Sequence, residues 1–97
     1  MAAYEFLCDV TEQTTTRFVT FVTERMNRFD LAITTTGQFY GKKLVTNLQN
    51  GKTAIVGPDD LKEPGYLSYA FQISEEEEED LLPFMEEIIG FVEFPDI

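Results

Sequence analysis

From Thr16 to Val56 the chain is written almost wholly in β-branched and aromatic residues broken by turn formers, which leaves an antiparallel meander as the arrangement to expect. "TRFVTFVT" (16–23) carries the residue types that fit a pleated, half-buried surface. "FDLAITTT" alternates Phe29, Leu31 and Ile33 with Asp30, Ala32 and Thr34, the two-residue period of a strand with one buried face. "ERMNR" between them is polar turn material, and Gly37 permits a reversal into "QFYGKKLVTNLQ" (38–49) as a third strand. Asn50-Gly51 is the strongest hairpin signal in the chain, because both central residues of a type I′ turn need positive φ and these two tolerate it. "KTAIVG" (52–57) returns as the fourth strand.

A two-residue turn at Asn50-Gly51 pairs Gln49 with Lys52, Leu48 with Thr53, Thr46 with Ile55 and Val45 with Val56. One face then holds Tyr40, Lys42, Leu44, Leu48 and Ile55, and the other Phe39, Lys43, Val45, Ala54 and Val56. Both faces are partly apolar. A sheet with one wet face alternates more cleanly, so part of the second face is expected to be covered by the N-terminal segment, by the last residues, or by a second copy of the chain.

"GPDDLKEPGYLSYAF" (57–71) is punctuated by Pro58, Pro64 and Gly65, and its Tyr66, Leu67, Tyr69, Ala70 and Phe71 predict a short helix packed on the sheet. Ser74 followed by Glu77 has the spacing of a capping box, in which each side chain accepts a hydrogen bond from the other residue's backbone N–H. Leu81, Leu82, Met85, Ile88, Ile89 and Val92 recur at helical spacing, with Gly90 as a stop signal. The acidic run Glu75–Asp80 is thus read as a helix start, favoured by the positive end of the helix dipole. Pro83 falls inside that helix, where it removes a hydrogen bond; one amphipathic helix with a bend is expected. These elements predict an α+β fold, an antiparallel sheet of four or five strands with a connector helix and a C-terminal amphipathic helix on one face. At 97 residues, with nine Phe and four Tyr, the chain suffices for one domain spanning residues 1–97 and its core.

Charge is divided unevenly along the chain. All seven basic residues lie between Arg17 and Lys62, while residues 74–97 hold ten acids and no base, so the net charge of −11 arises mostly in the last quarter. That balance speaks against nucleic acid or an anionic membrane as partner, since both are held by Lys and Arg. One cysteine, Cys8, excludes an internal disulfide, and the opening "MAAYEFLCDV" has neither the basic start nor the long apolar run of a secretory signal, so a cytoplasmic location is expected. Cys8 itself reads as an inert buried thiol rather than a nucleophile.

Chemistry is sparse. Without a single histidine the chain lacks Ser-His and Cys-His pairs, histidine bases and histidine metal ligands, and it carries no Gly-rich phosphate loop. No catalytic residue, cofactor or metal ligand is therefore expected. Asp59-Asp60 after Pro58 reads as a turn and helix cap rather than an acid–base pair or a calcium loop. Tyr40, Lys42 and Lys43 in "FYGKK", with Arg17, are the candidate partner-binding residues, as a cluster of bases on an acidic molecule; the competing reading is that strand lysines merely discourage edge aggregation. The expected function is a non-catalytic protein-interaction or regulatory module with a protein partner or a second copy of itself. The alternatives are a small ligand-binding domain or enzyme for an anionic metabolite, and a nucleic-acid mimic whose acidic helix occupies a basic groove.

Three segments, "TEQTTTRFV", "RFDLAITTTGQFYGKKLV" and "DDLKEPGYL", carry a family likeness. Over about Asp9 to Ile89 the chain resembles the small uncharacterised cytosolic proteins of Gram-positive bacteria (Firmicutes) grouped as domain of unknown function 3055. The resemblance implies a compact α+β domain in a bacterial cytoplasm and brings no active site with it.

Overall fold

The computed structural model describes residues 3–90. Four strands, β1 (Thr15–Val22), β2 (Arg28–Thr35), β3 (Lys43–Asn47) and β4 (Lys52–Val56), form one antiparallel sheet in sequence order. A 3₁₀ turn (Asp60–Lys62), helix α1 (Tyr66–Phe71) and helix α2 (Glu75–Met85) follow, and α2 runs on into a π turn over Glu86–Gly90. The α+β meander with helices on one face is the fold the residue pattern predicts.

The core lies between the sheet and the helices. Phe29, Leu31 and Ile33 of β2, Val45 of β3 and Val56 of β4 point inward, and β2 shows the alternation expected of a central strand. Leu67 and Phe71 of α1 and Leu81 and Met85 of α2 close over them, with Ile89 beyond. Each of these side chains contributes about 1.5–3 kcal/mol by leaving water. Helix α1 sits toward β4, where the Tyr66 hydroxyl donates to the Ile55 carbonyl at 3.2 Å. Helix α2 meets the β1–β2 end, where Phe84 stacks on Phe21 with ring centroids 4.6 Å apart.

The capping box is present: Glu77 N–H donates to Ser74 Oγ at 3.0 Å, and Ser74 N–H donates to Glu77 Oε1 at 2.9 Å. Pro83 is accommodated within the helix, on its exposed side. The expectation for Val92 and for the last residues as a cover falls outside the described residues.

Two expectations about the sheet are corrected. The third strand begins at Lys43 and not at Gln38, because the chain turns at Gly41, whose φ is +71°, with Lys42 N–H donating to the Phe39 carbonyl. Lys42 and Tyr40 are loop residues and do not share a strand face with Leu44. The β3–β4 pairing also differs: Asn47 opposes Lys52, Val45 opposes Ala54 and Leu44 opposes Ile55. Of the two turn residues only Gly51 takes a positive φ, so no type I′ turn forms, and Leu48–Gly51 make a wider loop. Asn50 is used instead for its side chain, which donates to the Phe71 carbonyl at 2.8 Å and accepts from Lys52 N–H. The shift is two residues, so the side chains within β3 and β4 keep the faces assigned to them.

Candidate functional site

The acidic run is largely consumed in holding the fold together. Glu78 reaches across to α1 and accepts from the backbone N–H groups of Leu67 (2.8 Å) and Ser68 (3.2 Å) and from the Ser68 hydroxyl. Helix α1 starts at Gly65, which has no side chain to cap it, so a carboxylate from α2 does that work. Asp80 accepts from Arg25 Nε and Nη2 (2.9 and 2.6 Å), from the Thr23 hydroxyl (2.6 Å) and from Asn27 Nδ2 (2.7 Å). Its side chain is 12% exposed. The Arg25 bonds, then those of Thr23 and Asn27, hold this carboxyl down at about 2, and Asp80 in turn raises Arg25. Glu76 and Glu79 complete the clasp on Asn27 and Arg25. Five of the six acids from Glu75 to Asp80 are thereby engaged by their own chain.

Of the four candidate binding residues, Tyr40 and Lys42 share one cleft, and Lys43 and Arg17 lie outside it. Tyr40 is fully exposed on the loop before β3. Lys42 lies across Gly57, where an added Cβ would fall 2.8 Å from Lys42 Cγ, and its Nζ is 3.7 Å from Asp60 Oδ2. Asp60 also accepts from Gly57 N–H at 2.8 Å, whereas the Asp59 side chain makes no capping bond, so the cap expected of this pair belongs to Asp60 alone. Tyr40, Gly41 and Lys42 face Gly57, Pro58 and Asp59 across a cleft of about 450 Å³. Lys43 opens β3 opposite Val56, and Arg17 stands two strands away on β1, opposite Ile33. Burial raises the Tyr66 hydroxyl above its usual range, with the charge of Asp60 adding to it. Among the described residues no group of three carboxylates or thiols is arranged to hold a metal ion.

What the structure does present is a bare sheet face. Thr16, Phe18, Thr20 and Val22 of β1 stand beside Arg28, Asp30, Ala32 and Thr34 of β2, then Leu44 and Thr46 of β3 and Thr53 and Ile55 of β4. Threonines pair across strands, Thr16 with Thr34 at 2.8 Å and Thr46 with Thr53 at 2.9 Å, so their hydroxyls bond each other. The single acid of this face, Asp30, accepts from Thr20, Gln49 and Arg28, and those bonds bring it to about 2. Phe18 is 71% exposed, and Val22, Leu48 and Ile55 are exposed as well. No described segment covers them. Apolar residues on both faces of the strands signal this surface in the sequence; the clasp at Asp80 has no local signal, because its partners are more than fifty residues apart.

The N-terminal segment does not cover that face either. Residues 3–14 are exposed throughout, including Tyr4, Phe6 and Val10, with Leu7 fully so. Only Glu12 is tied down, accepting from the Thr36 hydroxyl, Gly37 N–H and Gln38 Nε2, bonds that lower its pKa. Cys8 is exposed and not buried, since this segment contributes nothing to the core.

Residues 7–87 match the family described as SAV0927-like. No curated protein matches the chain.

Proposed function

We propose that this chain, which belongs to the SAV0927-like family, is a non-catalytic protein-interaction module whose working surface is the bare sheet face. The observation that carries the reading is the uneven use of side chains. Five of the six carboxylates from Glu75 to Asp80 are bound internally, while Phe18, Val22 and Ile55 stand exposed on one face of the sheet. A patch of that kind on a folded domain marks a place where another molecule sits. The setting of this reading is a cytoplasm, and an exposed free thiol fits such a reducing compartment. Among the described residues no helix is long and apolar enough to cross a membrane.

Affinity purification from the native cell with three baits tests this. The unaltered chain should retain a protein that Phe18→Asp with Ile55→Asp loses and that Lys42→Glu with Lys43→Glu keeps. Loss with the lysine variant alone would move the surface to Tyr40, Lys42 and Lys43, and retention by both variants would defeat the proposal.

A second reading rests on the cleft between Tyr40–Lys42 and Gly57–Asp59, which has the size of a small-ligand pocket and one lysine at its wall. An anionic metabolite bound there should raise the melting temperature of the full chain. A panel of nucleotides and phosphorylated metabolites without any such rise would remove this reading.

A further inference from the structure

Among the described residues an apolar sheet face lacks a cover and an apolar segment lacks a face. Within residues 3–11, Tyr4, Phe6, Leu7 and Val10 are all largely in water, an apolar run whose burial against a matching surface is favourable. Across the molecule, Phe18, Val22, Leu44 and Ile55 form a surface of matching character. In the single chain the two do not meet, because Phe18 remains 71% exposed. We propose that the occupant of the bare sheet face is the N-terminal arm of a second copy of this chain, exchanged reciprocally in a two-fold dimer.

Charge permits this contact although each copy carries −11. The bare face holds one base and one acid, Arg28 and Asp30, paired at 3.1 Å, and is neutral in itself. The acids of α2 lie on the other side of the sheet. Two copies meeting sheet to sheet put two sheets, packed about 10 Å apart, between their acidic helices, more than the roughly 8 Å over which physiological salt screens charge. A meeting through the helical face would bring those acids together.

Area explains why the arm is needed. Four strands at about 4.8 Å spacing, by five or six residues at about 3.3 Å, offer roughly 400 Å² in projection, against about 800 Å² per partner in a stable interface. From its anchor at Glu12 the arm reaches about 30 Å when extended, enough to cross the roughly 15 Å from β1 to β4.

This inference rests on the bare face being the working surface, and the test separates the two. Sedimentation equilibrium of the full chain at high micromolar concentration should give twice the 11.1 kDa chain mass. Phe18→Glu on the face and Phe6→Glu with Leu7→Glu on the arm should each return the single-chain mass while leaving the far-ultraviolet spectrum and melting transition of a folded protein. In an equimolar mixture of isotope-labelled and unlabelled chains, filtered NMR should show Phe6 ring protons of one copy close to the Leu44 and Ile55 methyls of the other. A full chain of single mass, a dimer indifferent to both sets of substitutions, or contacts confined to the same copy would overturn the exchange. If the exchange fails while the Phe18→Asp, Ile55→Asp bait still loses a cellular partner, the working surface stands; if that bait loses nothing, it falls independently.

Discussion

Asp80 is where single side chains decide most in this molecule. Bonds from Arg25, Thr23 and Asn27 all favour its ionised form and hold it at about 2, and the bonds to Asp30 do the same on the opposite face. An unfolded aspartate titrates near 3.9, so the unfolded chain binds protons first as pH falls. The stability these two groups supply is complete above about pH 4 and is lost as pH drops toward 2. Chemical denaturation of the native chain between pH 5 and pH 2 should show that decline, and Asp80→Asn should flatten it; an unchanged slope would contradict the clasp. Gly57 offers a second test at this scale. Gly57→Ala forces the Lys42 stem aside and should cost about 1–3 kcal/mol, the usual range for overpacking. In a Lys42→Ala background the same change should be nearly neutral, and a double-mutant cycle by urea denaturation reads the difference.

At the scale of elements, one helix is started by the side chain of another. Glu78→Ala should leave the Leu67 and Ser68 N–H groups without their acceptor and cost about 1–3 kcal/mol, whereas Glu78→Gln, which keeps one oxygen, should cost less. Equal losses in the two variants would show that the carboxylate acts by charge alone. The elements themselves were legible in the residues, because periodicity and capping are local: β2 alternates as written, and Ser74 and Glu77 meet as their spacing requires. What escaped the sequence was set by tertiary partners. Asn50 turned its side chain toward the end of α1 in place of adopting a tight turn, and so moved the β3–β4 register by two residues. Gly41 delayed the start of β3 and took Tyr40 and Lys42 out of the sheet, so the candidate cationic strand became a loop and a single lysine paired with Asp60. Cys8 sat among apolar residues, and a local pattern alone does not tell an apolar arm from an apolar strand.

At the scale of the whole molecule, the core occupies one side of a single sheet. Phe71, the last residue of α1, is completely buried within that core. Phe71→Ala should cost about 3–5 kcal/mol against a net stability of roughly 5–15 kcal/mol for a domain of this size. Tyr69→Ala, two residues away on the outer side of α1, should stay within about 0.5 kcal/mol, and guanidinium melts of both would show whether the core is as one-sided as it looks. The clasp of Thr23 and Arg25 on Asp80 has a consequence in time as well as in energy. It joins residues 57 and 55 positions apart, so the first hairpin and the last helix close a circuit through more than half of the chain. A protein built from such distant pairings folds more slowly than a helical bundle of equal length. On a ribosome the inward face of β2 must wait, uncovered, until Leu81 and Met85 have emerged from the exit tunnel.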